Sequence, residues 1–122
     1  MPEGLEAAVD AYVAAWNEPD AGERARLLAD AVADDFEFHG PTGTFRGREA
    51  VEGLIVTLQT RLGDARVVRQ GPVADGVFRW AVVSPAGVTL LEGHDEATAG
   101  DDGRLAHVSV ATGSAPAQVK RP

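Results

Sequence analysis

Between Leu5 and Trp16 the apolar residues Leu5, Ala8, Val9, Tyr12, Val13 and Trp16 recur at helical spacing, while Glu3, Glu6 and Asp10 fall off that stripe. This pattern predicts an amphipathic helix that ends near Asn17, where Asn17-Glu18-Pro19 breaks it. Asp20 followed by Glu23 resembles a capping box and opens a second helix that buries Leu27, Leu28 and Val32. Phe36 and Phe38 then alternate with Asp35 and Glu37 as a short strand, and Gly40, Pro41 and Gly43 turn the chain. A third helix carries Val51, Leu54, Ile55, Leu58 and Leu62 on one face and stops at Gly63.

From Ala65 onward the period changes to two. The runs 65–74, 77–84, 88–97 and 104–112 are separated by Asp75-Gly76, Pro85-Ala86-Gly87 and the segment 100–103. Asp-Gly between alternating runs is a strong hairpin signal, so these runs predict an antiparallel meander. Helices gathered at one end of the chain and strands at the other make the class α+β, with a sheet that curls over the helices.

Alternation also assigns faces, because successive strand side chains point to opposite sides of a sheet. Phe36, Phe38, Phe78, Trp80, Val82, Ala106, Val108 and Val110 read inward, and His39, His107 and Ser109 outward. In "VTLLEGHDEATA" the set Val88, Leu90, Glu92, His94 and Glu96 holds three ionisable groups and reads as the solvated face. Asp95 is then the acid on the inner face, opposite the helix that carries Tyr12 and Trp16. A carboxyl facing an apolar interior has its charged form disfavoured, so its pKa should rise. Tyr12 lies in the apolar stripe of its helix, where a buried phenol needs a partner.

Composition narrows the partners. The chain has 122 residues, the size of one domain, with 44% hydrophobic and 25% charged residues, too apolar for disorder. The formal charge of −8 is concentrated in residues 1–45, which hold ten acids against two arginines. That sign opposes phosphate backbones and anionic membrane surfaces, so neither nucleic acid nor membrane is an expected partner. Without cysteine there is no thiolate nucleophile and no Cys-based metal site. No apolar run approaches the ~20 residues of a membrane span and no signal-peptide pattern opens the chain, so a cytoplasmic setting is expected. His39, His94 and His107 are isolated along the chain, without metal-ligand spacing. No nucleotide-binding glycine pattern occurs either, so neither a metal nor a cofactor is expected. The segment Ser114 to Pro122 has small residues and no periodicity, and reads as a disordered tail beyond a domain at 1–113.

The order "AYVAAWN", "LLADAVADDFEF", a Gly-Pro turn, "GREAVEGL", "FRWAVV" and "GHDEATAGDDGRLAHVSV" resembles the nuclear transport factor 2-like superfamily. This superfamily includes the SnoaL-like polyketide cyclases and ketosteroid isomerase. The resemblance covers about residues 5–113. It implies a cone-shaped, cystatin-like α+β fold, with three N-terminal helices in the concave face of a curved antiparallel sheet around an apolar pocket, and a homodimer. It places Tyr12 in the role of an oxyanion-binding tyrosine, and Asp95, eight residues before Gly103, in that of a protonated or acid/base aspartate. Where the isomerases carry a proton-abstracting aspartate before the proline, this chain has Gly40.

Two functions are compatible with these residues. The first is a cofactor-independent acid/base enzyme of the cyclase or isomerase type, acting on a hydrophobic carbonyl-bearing small molecule such as a polyketide. Asp95 and Tyr12 would act in it, with His39 as a further candidate at the strand end. Its pocket would be walled by Trp16, Phe36, Phe38, Leu54, Leu58, Phe78, Trp80, Val108 and Val110. The second is a non-catalytic module that holds a hydrophobic ligand in the same pocket or dimerises.

Overall fold

The structure is a computed structural model that describes residues 2–112, with side chains from 5 to 110. The expected tail at 114–122 lies outside the described residues. The elements run α1 (Pro2–Asn17), α2 (Ala21–Ala31), β1 (Val32–Gly40), β2 (Gly43–Arg46), α3 (Arg48–Leu62), β3 (Arg66–Ala74), β4 (Val77–Val83), β5 (Thr89–Ala99) and β6 (Leu105–Thr112). The six strands form one curved sheet in the order β2-β1-β6-β5-β4-β3, and the α+β class stands.

Two features depart from the expected meander. A short strand, β2, follows the Gly-Pro turn and pairs antiparallel with β1. β1 itself pairs with β6 in parallel, with Glu37 opposite His107 and His39 opposite Ser109, so the sheet is mixed. The cause is topological: β1 and β6 are the first and last long strands, and the intervening helix and meander return the chain in the same direction. Val32, expected in the second helix, is instead the first residue of β1, and it is buried there all the same.

Local chemistry sets the helix ends. Asp20 Oδ2 accepts the Glu23 N–H at 2.8 Å and caps α2. Glu23 does not complete a reciprocal box; Glu18 Oε2 accepts the Asp20 N–H at 3.1 Å instead. At the β3–β4 hairpin Asp75 and Gly76 have φ 54° and 78°, the paired positive angles of the turn that suits right-handed strand twist.

Polar tethers fix the helices on the sheet. The Asn17 amide donates to Val67 O and accepts from Val67 N, both at 2.8 Å, and so extends the β3 ladder by one side chain. Arg69 on β3 bonds Glu6 and Asp10 of α1, each at 2.9 Å. Arg24 is buried where the three helices meet, donating to Glu18 O at 2.7 Å and to Glu52 at 3.2 Å. A buried guanidinium is costly unless its donors are engaged, and these bonds engage Nε and Nη1. Beneath the tethers Val9, Leu28, Phe36, Ile55, Phe78, Leu105 and Val108 form the core.

Candidate functional site

Inside the cone lies a cavity of about 790 Å³, large enough for a small organic ligand. Its walls come from α1, α3 and the inner sheet face. Of the residues expected to line it, Trp16, Phe38, Leu54, Leu58, Phe78, Trp80 and Val110 do so. Phe36 and Val108 do not: both are wholly buried in the core below, since an inward side chain reaches the cavity only where the sheet has curled away from the helices. Pattern reading missed Phe45, Val67 and Leu91, which add to the walls. Phe45 lies on the unforeseen β2, whereas the alternation of β3 and β5 could have placed the other two.

Asp95 and Tyr12 are brought together at this cavity, 4% and 2% exposed. Asp95 sits on β5 between Phe78 of β4 and Val110 of β6 in register, so apolar cavity-lining side chains flank it on both sides. The Trp80 indole N–H donates to Asp95 Oδ1 at 2.7 Å, which engages one oxygen and leaves the other to the cavity. Burial pushes the Asp95 carboxyl up to about 7, with the Trp80 bond working against the rise. A hydrogen bond to a charged group contributes ~1.5–3 kcal/mol, so desolvation outweighs a strong donor here. The group is therefore poised to exist as acid or base near neutral pH.

Tyr12 sits edge-on to Trp16, Phe36 and Phe78 with ring centroids 6.0, 6.0 and 6.5 Å away. Burial first, and the nearby Asp95 charge second, hold its phenol well above the usual range, so it is a hydrogen-bond donor at any physiological pH. The Trp16 N–H works weakly the other way, from outside hydrogen-bonding geometry. Neither the Tyr12 hydroxyl nor the Trp16 N–H has a partner among the described residues, although both are buried. Unpaired buried donors are rare because each costs the desolvation of its group. Tyr12, beside Asp95, and Trp16 on the wall of the same cavity could both donate to an oxygen that a ligand would bring.

His39 does not line this cavity. It faces out of the sheet, where Nε2 meets Glu37 Oε1 at 3.1 Å and Nδ1 meets Thr44 Oγ1 at 3.0 Å. Gly40 shares the face of Phe38, and a Cβ there would stand 2.7 Å from Cε2 of the Phe38 ring. That ring is held between Trp16 and Phe45, at 5.9 and 6.1 Å, so the position has no room for a carboxylate as the cavity is packed.

Two expectations on the outer face need correction. His94 is not solvated but 4% exposed, with Nδ1 unpartnered, in register between Arg79 and Ala111 on neighbouring strands. The histidines are not all isolated either, because the β1–β6 pairing sets the rings of His39 and His107 4.5 Å apart.

A mixed sheet curled over helices, with an acid and a phenol buried in an apolar cavity, defines a pocketed α+β cone protein. The chain belongs to the SnoaL-like domain family, whose model matches residues 9–111. No curated protein matches it. Among solved structures it is similar to a SnoaL-like family protein from Agrobacterium tumefaciens, provisionally named an isomerase. That likeness has 23% identity and a TM-score of 0.81 over 92% of this chain and 99% of that one. A protein from Jannaschia, provisionally named a SnoaL-like polyketide cyclase, matches with 14% identity and a TM-score of 0.71 over 91% and 85% of the two chains. A nuclear transport factor 2-like protein of unknown function from Exiguobacterium matches with 17% identity and a TM-score of 0.67 over 88% and 99%. At these identities the likeness establishes the fold. No described helix is long and apolar enough to cross a membrane.

Proposed function

We propose that the protein is an acid/base enzyme for a hydrophobic, carbonyl-bearing small molecule, with Asp95 as the proton-transfer group. The observation that carries this reading is Asp95 itself, buried at an apolar cavity with its carboxyl near 7 and an unpartnered Tyr12 hydroxyl close by. The ionised carboxylate takes a proton from the carbon next to a carbonyl, and the charge that develops on the carbonyl oxygen is met by the Tyr12 O–H. The enolate then attacks a second carbonyl of the same molecule, closing a ring, and Asp95 returns its proton to the new alkoxide. Protons balance and no external redox partner is consumed. A shuttle of the proton to another carbon uses the same two groups. Gly40 offers no second base, so in either reaction Asp95 both takes and returns the proton.

Ligand binding without turnover is the second reading, and the blocked position at Gly40 favours it. Mass spectrometry of small molecules retained by the purified protein, followed by incubation of the recovered compound with wild type and Asp95→Asn, separates the two. The enzyme reading expects conversion by wild type and a fall of ~10²-fold or more in the variant. A retained compound that neither form converts establishes the binding module.

A further inference from the structure

The geometry points to a second site on the opposite face of the sheet: Glu37, His39 and His107 form a binding site for a first-row divalent transition ion of the zinc class. The β1–β6 register puts Glu37 directly opposite His107, and His39, two residues on, shares their face. One ligand atom from each of the three lies within 4.8 Å of the other two. The Glu37 Oε1–His39 Nε2 separation is 3.1 Å. Two ligands held at about 2.0–2.1 Å on a tetrahedral ion stand roughly 3.3 Å apart, so this pair already has the required bite.

The surrounding groups orient the ligands. Thr44, paired with His39 across the β1–β2 ladder, meets His39 Nδ1 at 3.0 Å and fixes the ring with Nε2 toward Glu37. Arg46 takes the other carboxylate oxygen of Glu37, Oε2, at 2.7 Å and leaves Oε1 to the ion. The His107 ring has no hydrogen bond among the described residues, so a hydrogen-bonded cluster accounts for Glu37 and His39 but not for the third ring. The His39 and Glu37 side chains are 37% and 31% exposed, open enough for an ion to enter.

The donor set selects the ion. Two imidazoles and one carboxylate suit zinc, copper or nickel, whereas magnesium and calcium take oxygen ligands. Three protein ligands leave a coordination position for water. The site lies across the sheet from the Asp95 cavity and is independent of the activity proposed there.

The test is calorimetric titration of the chelator-treated full chain with zinc chloride alone. One ion per chain is expected, with a Kd on the order of micromolar. His39→Ala and His107→Ala should each weaken binding by more than about tenfold, and Asp95→Asn should leave it unchanged. Circular dichroism checks each fold, and His39→Gln and His107→Gln replace an alanine variant that does not fold. A visible absorption band from bound cobalt in wild type, absent in both histidine variants, would agree with the assignment. Zinc affinity equal in wild type and both variants, or no saturable binding up to ~1 mM, overturns it.

Discussion

Trp80 donates its indole N–H to Asp95 across 2.7 Å, from one strand to the next on the inner face of the sheet. The bond stabilises the carboxylate while burial opposes it, and the balance leaves the group titrating near 7. Trp80→Phe removes the donor and keeps an aromatic wall. The Asp95 titration midpoint should therefore move upward from about 7, read by carbon-13 NMR of the labelled side chain. An unchanged or lower midpoint would mean that the bond does not set the balance.

Holding Asp95 in an apolar cavity costs stability, and the sign follows from linkage. The folded-state pKa of about 7 lies above the ordinary carboxylate value of 3.8, so the native protein binds more protons between these values and loses stability as pH rises through them. The full penalty, present above the folded pKa, is at most ~4 kcal/mol. Asp95→Asn avoids it and keeps an oxygen for Trp80. The variant should melt several degrees above wild type at pH 8.5 and near wild type at pH 4, in paired thermal scans. Equal melting at both pH values would contradict the buried, destabilised carboxylate.

Tyr12→Phe deletes a buried hydroxyl that has no partner, so stability should hold or rise by ~1 kcal/mol in urea titrations. Turnover of the compound recovered with the protein should fall ~10²–10³-fold in kcat, the scale of a lost oxyanion donor. A variant both as stable and as active as wild type would leave Tyr12 as a packing residue.

Gly40→Ala drives a methyl group into the Phe38 ring, which Trp16 and Phe45 hold in place. A loss of ~1–3 kcal/mol is expected by chemical denaturation. The double variant Gly40→Ala, Phe38→Leu should recover part of it, because the ring is the obstacle. Wild-type stability in the single variant would show that the ring yields freely.

Asn17→Ala breaks both bonds to Val67 at once. A loss of ~1–3 kcal/mol should appear by denaturation, with faster amide exchange at the end of α1. Unaltered exchange there would mean that packing alone seats the helix.

Local patterns made much of this molecule legible. Period-two alternation in β4, β5 and β6 was enough to turn Phe78, Asp95 and Val110 to one face, and helical spacing turned Tyr12 and Trp16 toward them. What stayed hidden depended on which strands become neighbours. The burial of His94 depends on its setting within the sheet, and that of Arg24 on where three helices meet, and neither leaves a periodic trace. His39 and His107 are far apart in the chain and meet only because β1 and β6 pair in parallel. Which inward residues line the cavity was decided by curvature, which placed Val110 at the wall and Val108 beneath it.

That parallel pairing also orders events during synthesis. β1 is made early, yet apart from the short β2 its only strand partner is β6, the last element of the described chain. Closure of a contact so distant in sequence is entropically slow. Until β6 emerges, β1 has an open edge and Phe38 has no β6 neighbour, so the cavity cannot be completed strand by strand. The candidate site becomes competent only when β6, the last described strand, slots into the middle of the sheet.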